Sequence, residues 1–97
     1  MINVGMYYNV KAGHETEFEK TFTEVIGTLK NAKVGITDAK LYKEVGKSEY
    51  LIYTEWEGID AFKAFIQSKA FSDTTSYGKS IIEGRPSHRI FTDISEK

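Results

Sequence analysis

The residues best suited to move protons near neutral pH are the two histidines, His14 and His88. Arg85 stands three positions before His88, and Glu15 and Glu17 follow His14. If the first and last strands of a sheet run antiparallel side by side, the exit of one meets the start of the other. That placement puts His14, Arg85 and His88 on one rim, with Glu15, Glu17 and Trp56 at the same end. Two imidazoles, a guanidinium and carboxylates could form an acid–base or anion site, which makes His14, Arg85 and His88 the candidate catalytic residues. The competing explanation is a solvated rim of ordinary loop residues.

Other routes to an activity close on inspection. Gly46-Lys47-Ser48 ends like a phosphate-binding loop, but the position five before Gly46 is Leu41, not glycine, and a strand follows instead of a helix. His14-Glu15 lacks the second histidine of a zinc helix, because Phe18 holds that place. No glycine pair has dinucleotide spacing, and no serine sits in a Gly-x-Ser-x-Gly elbow. The absence of cysteine removes disulfides and thiolate chemistry. Two histidines alone make a poor metal site, so no metal is expected.

Six Tyr, six Phe and one Trp are many rings for so short a chain. They suit either a core with a subunit interface or an aromatic-lined pocket for a flat apolar ligand. Tyr8 and Tyr77 are the hydroxyls that could orient such a ligand.

The elements that must position these groups are legible from periodicity. Ile2, Val4, Met6, Tyr8 and Val10 alternate with Asn3, Gly5, Tyr7 and Asn9, which predicts a strand. Phe18, Phe22, Val25, Ile26 and Leu29 fall on one helical face, with Glu15 and Glu17 in the first turn and Lys30 and Lys33 at the far end. Gly27 within that helix costs about 1 kcal/mol relative to alanine unless close packing offsets it. Two β-rich runs, 37–45 and 49–56, flank Gly46-Lys47-Ser48 and predict a hairpin. Helical spacing resumes at Ala61, Phe62, Phe65 and Ile66, then continues irregularly through Phe71, Tyr77, Ile81 and Ile82 to a stop at Gly84-Arg85-Pro86. A last strand is expected over 88–94.

The order βαββαβ predicts a ferredoxin-like α+β sandwich: one antiparallel sheet with both helices on one face, a single domain over 1–97. Tyr7, Leu51 and Tyr53 make the strands bulky on the other face too, so a second copy of the chain is the expected cover. Thirteen basic against fourteen acidic residues, with no like-charge block, argue against nucleic acid as a partner. No apolar run approaches the ~20 residues that span a bilayer, and no leader is evident, so a cytoplasmic location is the default expectation.

The run Leu51-Ile52-Tyr53-Thr54-Glu55-Trp56, then Asp60-Ala61-Phe62 and Ser68-Lys69-Ala70-Phe71, resembles the antibiotic biosynthesis monooxygenase superfamily. There a strand ending in tryptophan leads to a helix carrying Ala-Phe and a Ser-x-x-Phe segment. The resemblance implies a dimeric α+β barrel with a pocket between helices and sheet, and a cofactor-free oxygenation of a small aromatic or quinone-like molecule. The haem-degrading branch places an asparagine, a tryptophan and an iron-binding histidine where this chain has Met6, Phe65 and Thr75. All three depart from that pattern. The implied ligand pocket is therefore Met6, Tyr8, Phe65, Thr75 and Tyr77. The alternative role is a non-catalytic dimer that binds a small hydrophobic ligand or serves structure and interaction.

Overall fold

In a computed structural model the chain runs β1 (Ile2–Val10), α1 (Glu15–Ala32), β2 (Ile36–Lys43), β3 (Glu49–Trp56), α2 (Ile59–Ile66), α3 (Lys69–Gly78) and β4 (Ile82–Thr92). The structure describes residues 1–95, and of residue 70 the backbone alone; positions 96 and 97 of the expected domain lie outside the described residues. The strands form one sheet in the order β2-β3-β1-β4, with every neighbouring pair antiparallel. This is the expected ferredoxin-like α+β fold.

Alternation decides the faces of the sheet. Val4 and Val10 of β1, and Tyr50, Thr54 and Trp56 of β3, are buried on the helix-covered face. Tyr7, Leu51, Tyr53 and Phe91 occupy the opposite face, where Tyr7 is 37% and Phe91 46% exposed. On that outer face the Arg89 guanidinium lies 5.9 Å from the Tyr7 ring centroid.

The hairpin is as expected. Gly46 takes φ +81°, Lys47 N–H donates to the Glu44 carbonyl at 3.1 Å, and Lys47 Nζ reaches Glu44 and Glu49. Helix α1 begins after Gly13, whose N–H donates to Glu15 Oε1 at 2.8 Å, and ends at Lys33 in a left-handed conformation. No atom lies within 4 Å of where a Cβ on Gly27 would stand, so close packing does not account for that glycine.

Three expectations are corrected after β3. The second helical stretch is two helices, because the Ser68 hydroxyl accepts from Phe71 N–H at 3.2 Å and donates to the Phe65 carbonyl at 2.6 Å. The Ser-x-x-Phe segment is thus an N-cap that starts α3. Ile81 and Ile82 are not helical. Ile81 is 3% exposed in a core cluster with Val10, Phe18 and Tyr50, and its carbonyl accepts from Lys11 N–H at 2.8 Å. The last strand starts at Ile82, not His88, and carries Gly84-Arg85-Pro86 within it. A proline is tolerated there because β4 is an edge strand with no neighbour on one side.

Candidate functional site

The core under the helices is divided. One cluster joins Val10, Phe18, Tyr50 and Ile81; the other joins Val4, Trp56 and Phe62. Between them, bounded by α1, α3, the sheet and the start of β4, lies a predominantly apolar cavity of about 410 Å³. Its size is that of a site for a small organic ligand.

At the Trp56 end the wall is a chain of rings. Trp56 lies 5.6 Å from Phe62 and 5.3 Å from Phe65, and Phe65 meets Phe71 edge-on at 5.2 Å. Trp56 Nε1–H donates to Thr54 Oγ1 at 2.8 Å, and the Thr54 hydroxyl donates to the Val4 carbonyl at 3.2 Å. Every polar atom buried with these rings is thereby satisfied.

The other end is polar. The Tyr77 hydroxyl donates to Glu17 Oε2, and His14 Nδ1 stands 3.0 Å from Glu17 Oε1. Because a carboxylate only accepts, Nδ1 carries the proton in this pair. The hydrogen bond from His14, then that from Tyr77, holds the Glu17 carboxyl below its ordinary range. The same contact raises Tyr77. The three groups tie the start of α1 to α3, whose Tyr77 lines the cavity.

Of the titratable side chains in the wall, Tyr8 is the most buried. Its O–H has one partner, the Met6 sulfur at 3.8 Å, and burial pushes the phenol above its ordinary value. It remains protonated at neutral pH and can donate to a ligand oxygen. Tyr50, by contrast, is already engaged: its O–H donates to Glu19 Oε2 at 2.6 Å, and burial followed by that contact raises it strongly.

A bulge in β4 shapes the rim. Tyr7 pairs with Ser87 and Asn9 with Glu83, so Gly84, Arg85 and Pro86 together oppose the single residue Tyr8. Gly84 takes φ +67°, which admits the bend. His88 pairs with Met6 farther along, and its ring lies 6.0 Å from that of Phe62.

The pocket residues Met6, Tyr8, Phe65, Thr75 and Tyr77 all line this cavity, as do Arg85 and His88. The rim constellation of His14, Arg85 and His88 does not form. His14 lies past the end of β1 with Glu17, whereas His88 faces the middle of β1 and the ring cluster. Trp56 pairs with Ile2, so it lies at the opposite end of β1 from His14. Glu15 is committed elsewhere, to Gly13 N–H and to the Ser48 hydroxyl at 2.5 Å. The α1 residues Phe22, Val25 and Ile26, expected as core, are cavity wall instead; helical periodicity marks an inward face without telling filled from empty space. Among the described residues no group of three or more His, Cys, Asp or Glu side chains could hold a metal ion. No described helix is long and apolar enough to cross a membrane.

A ferredoxin-like fold with an apolar cavity between helices and sheet defines the class of α+β architecture. The sequence profile for antibiotic biosynthesis monooxygenase matches residues 1–76, and the chain belongs to that family. Among curated relatives, a "Putative heme-binding protein" of Natronomonas pharaonis is 32% identical over 85 residues, covering 88% of this chain but 14% of that protein. One from Halobacterium salinarum is 31% identical over 86 residues, covering 88% and 17%. The chain thus spans less than a fifth of the length of these relatives. Among solved structures, SnoaB, a cofactor-independent oxygenase from Streptomyces nogalater, superposes with a TM-score of 0.81 at 20% identity, covering 95% of this chain and 91% of that one. A conserved protein from Methanosarcina mazei gives 0.81 at 19% identity, covering 95% and 91%. At these identities the superpositions establish the fold.

Proposed function

We propose that this chain is a cofactor-independent oxygenase acting on a small aromatic or quinone-like molecule held in the cavity. The supporting observation is the open apolar chamber, whose wall includes both the protonated Tyr8 hydroxyl, with only a thioether as partner, and the imidazole of His88. In this reading a reduced anthrone-type substrate gives a carbon-bound proton to His88. Tyr8 donates a hydrogen bond to the oxygen on which the resulting anion places its charge. The anion passes electrons to O2; one oxygen atom becomes a carbonyl at the reacting carbon, and the other leaves as water with the two hydrogens removed. The working unit is a homodimer joined through the outer sheet face, where Tyr7, Leu51, Tyr53 and Phe91 need cover.

The relatives' name raises haem. The position that supplies the iron ligand in the haem-degrading branch is occupied here by Thr75, whose hydroxyl is not among the usual axial ligands. Met6 and Phe65 replace the other two residues of that pattern. The residues present do not fit that site, and no step is assigned to haem.

A second reading, a carrier that binds without turnover, is favoured by one fact: Tyr8, the most buried titratable group in the wall, is held protonated and cannot act as a base at neutral pH. Oxygen uptake separates the two. Incubation with anthrone or a naphthoquinol should consume oxygen, and His88→Ala should abolish uptake while leaving the melting curve in place. Saturable binding with no uptake would leave the carrier, and uptake undiminished in His88→Ala would remove His88 from the mechanism.

A further inference from the structure

We infer that the cavity selects an organic anion, an aromatic body bearing a carboxylate, with Arg85 as the group that receives the charge; this deepens the proposed function and rests on it. The cavity lining contains Lys79, Arg85 and His88 and not one Asp or Glu, in a chain with fourteen acidic and thirteen basic residues. An apolar wall whose cationic side chains have no carboxylate among them is complementary to a molecule that is greasy at one end and negative at the other.

The placement of Arg85 is specific. It sits at the crest of the β4 bulge opposite Tyr8, on a rim shared by the cavity and a shallower depression whose lining includes Tyr7, Tyr42, Lys43, Glu44 and Glu49. Bulges re-aim a side chain at the cost of ladder hydrogen bonds, and here Pro86 offers no N–H to lose. Among the described residues Arg85 has no ion pair or hydrogen bond through its side chain. The carboxylates that share the depression with Arg85, and those at the start of α1, are otherwise engaged: Glu44 and Glu49 with Lys47, Glu17 with His14 and Tyr77, and Glu19 with Tyr50. The guanidinium is therefore available to a carboxylate, which it can grip through two parallel N–H bonds. An apolar body would then lie inward, against Phe65 and Phe71, with Tyr8 beside the head group.

The test uses a matched pair of ligands against one neutral reporter. N-phenyl-1-naphthylamine, which brightens in apolar surroundings, fills the cavity, and 2-naphthoate and 2-naphthamide are titrated against it at pH 7. The acid, ionised at this pH, should displace the reporter at a concentration about ten-fold lower than the amide, the margin a charge-assisted bond supplies. In Arg85→Gln that preference should shrink to about two-fold or less. The ratio between the two ligands is the readout, so a general change in affinity does not affect it, and a thermal melt checks the fold. Equal displacement by acid and amide, or a preference that survives Arg85→Gln, overturns the inference and leaves the cavity reading intact. Failure of the reporter itself to bind overturns both.

Discussion

The two ends of the cavity are built on opposite principles. At the Trp56 end, rings stack on rings, Trp56 is 0% and Phe62 1% exposed, and each buried polar atom is answered within the wall. At the Tyr77 end, Tyr77 is 45% exposed and is held by hydrogen bonds to groups in water. The closed end carries stability, and the open end can change without unfolding the rest. A ligand chamber between them can be both fixed and accessible.

The contrast breaks most directly at Trp56. Trp56→Ala should cost about 3–5 kcal/mol, since it removes the largest buried ring and takes away the N–H that the Thr54 oxygen accepts from. Chemical denaturation measures this, and a loss under 1 kcal/mol would mean the closed end is not the keystone. Gly35→Ala tests the same end from the backbone. Gly35 takes φ +98°, and a Cβ there would come within 2.6 Å of the Ala61 Cβ on α2, so a cost of roughly 1–3 kcal/mol is expected.

The open end should respond weakly to deletion and more clearly to acid. Glu17 has its carboxyl lowered by His14 and Tyr77, with Thr21 and Glu24 also near the phenol. A lowered folded-state value means the stabilising contact is fully present above the ordinary carboxylate value of 4.5 and is lost as pH falls through the lower, folded value. Hydrogen exchange in α3 should therefore quicken as pH falls below the ordinary carboxylate range, ahead of the amides in β1 and β3. Tyr77→Phe should abolish that step while leaving the midpoint of denaturation nearly unchanged, because both partners are solvated. An acid step that persists in Tyr77→Phe would assign it to another carboxylate.

Some of this was readable from residue order. The alternation of Ile2 to Val10, the stripe from Phe18 to Leu29 and the glycine between the two β-rich runs each state a local geometry, and each was formed as expected. Met6, Tyr8, Phe65, Thr75 and Tyr77, grouped by the family resemblance, all lie on the cavity wall, since a shared fold puts equivalent positions on one wall. The catalytic rim was not. Its error was geometric: a strand antiparallel to β1 that ends at Trp56 must finish beside Ile2, and a last strand starting at Ile82 pushes His88 away from His14.

By itself the sequence determined the element order, the two-faced strands and the absence of thiol chemistry, because each follows from residue type and short-range spacing. Tertiary structure alone decided that α3 starts at Ser68, that Gly84-Arg85-Pro86 is a bulge and not a stop, and that Phe22, Val25 and Ile26 face empty space. Those outcomes depend on sheet register and on which helices meet. Register is a long-range property: the same few residues bend, cap or end an element according to what pairs beside them.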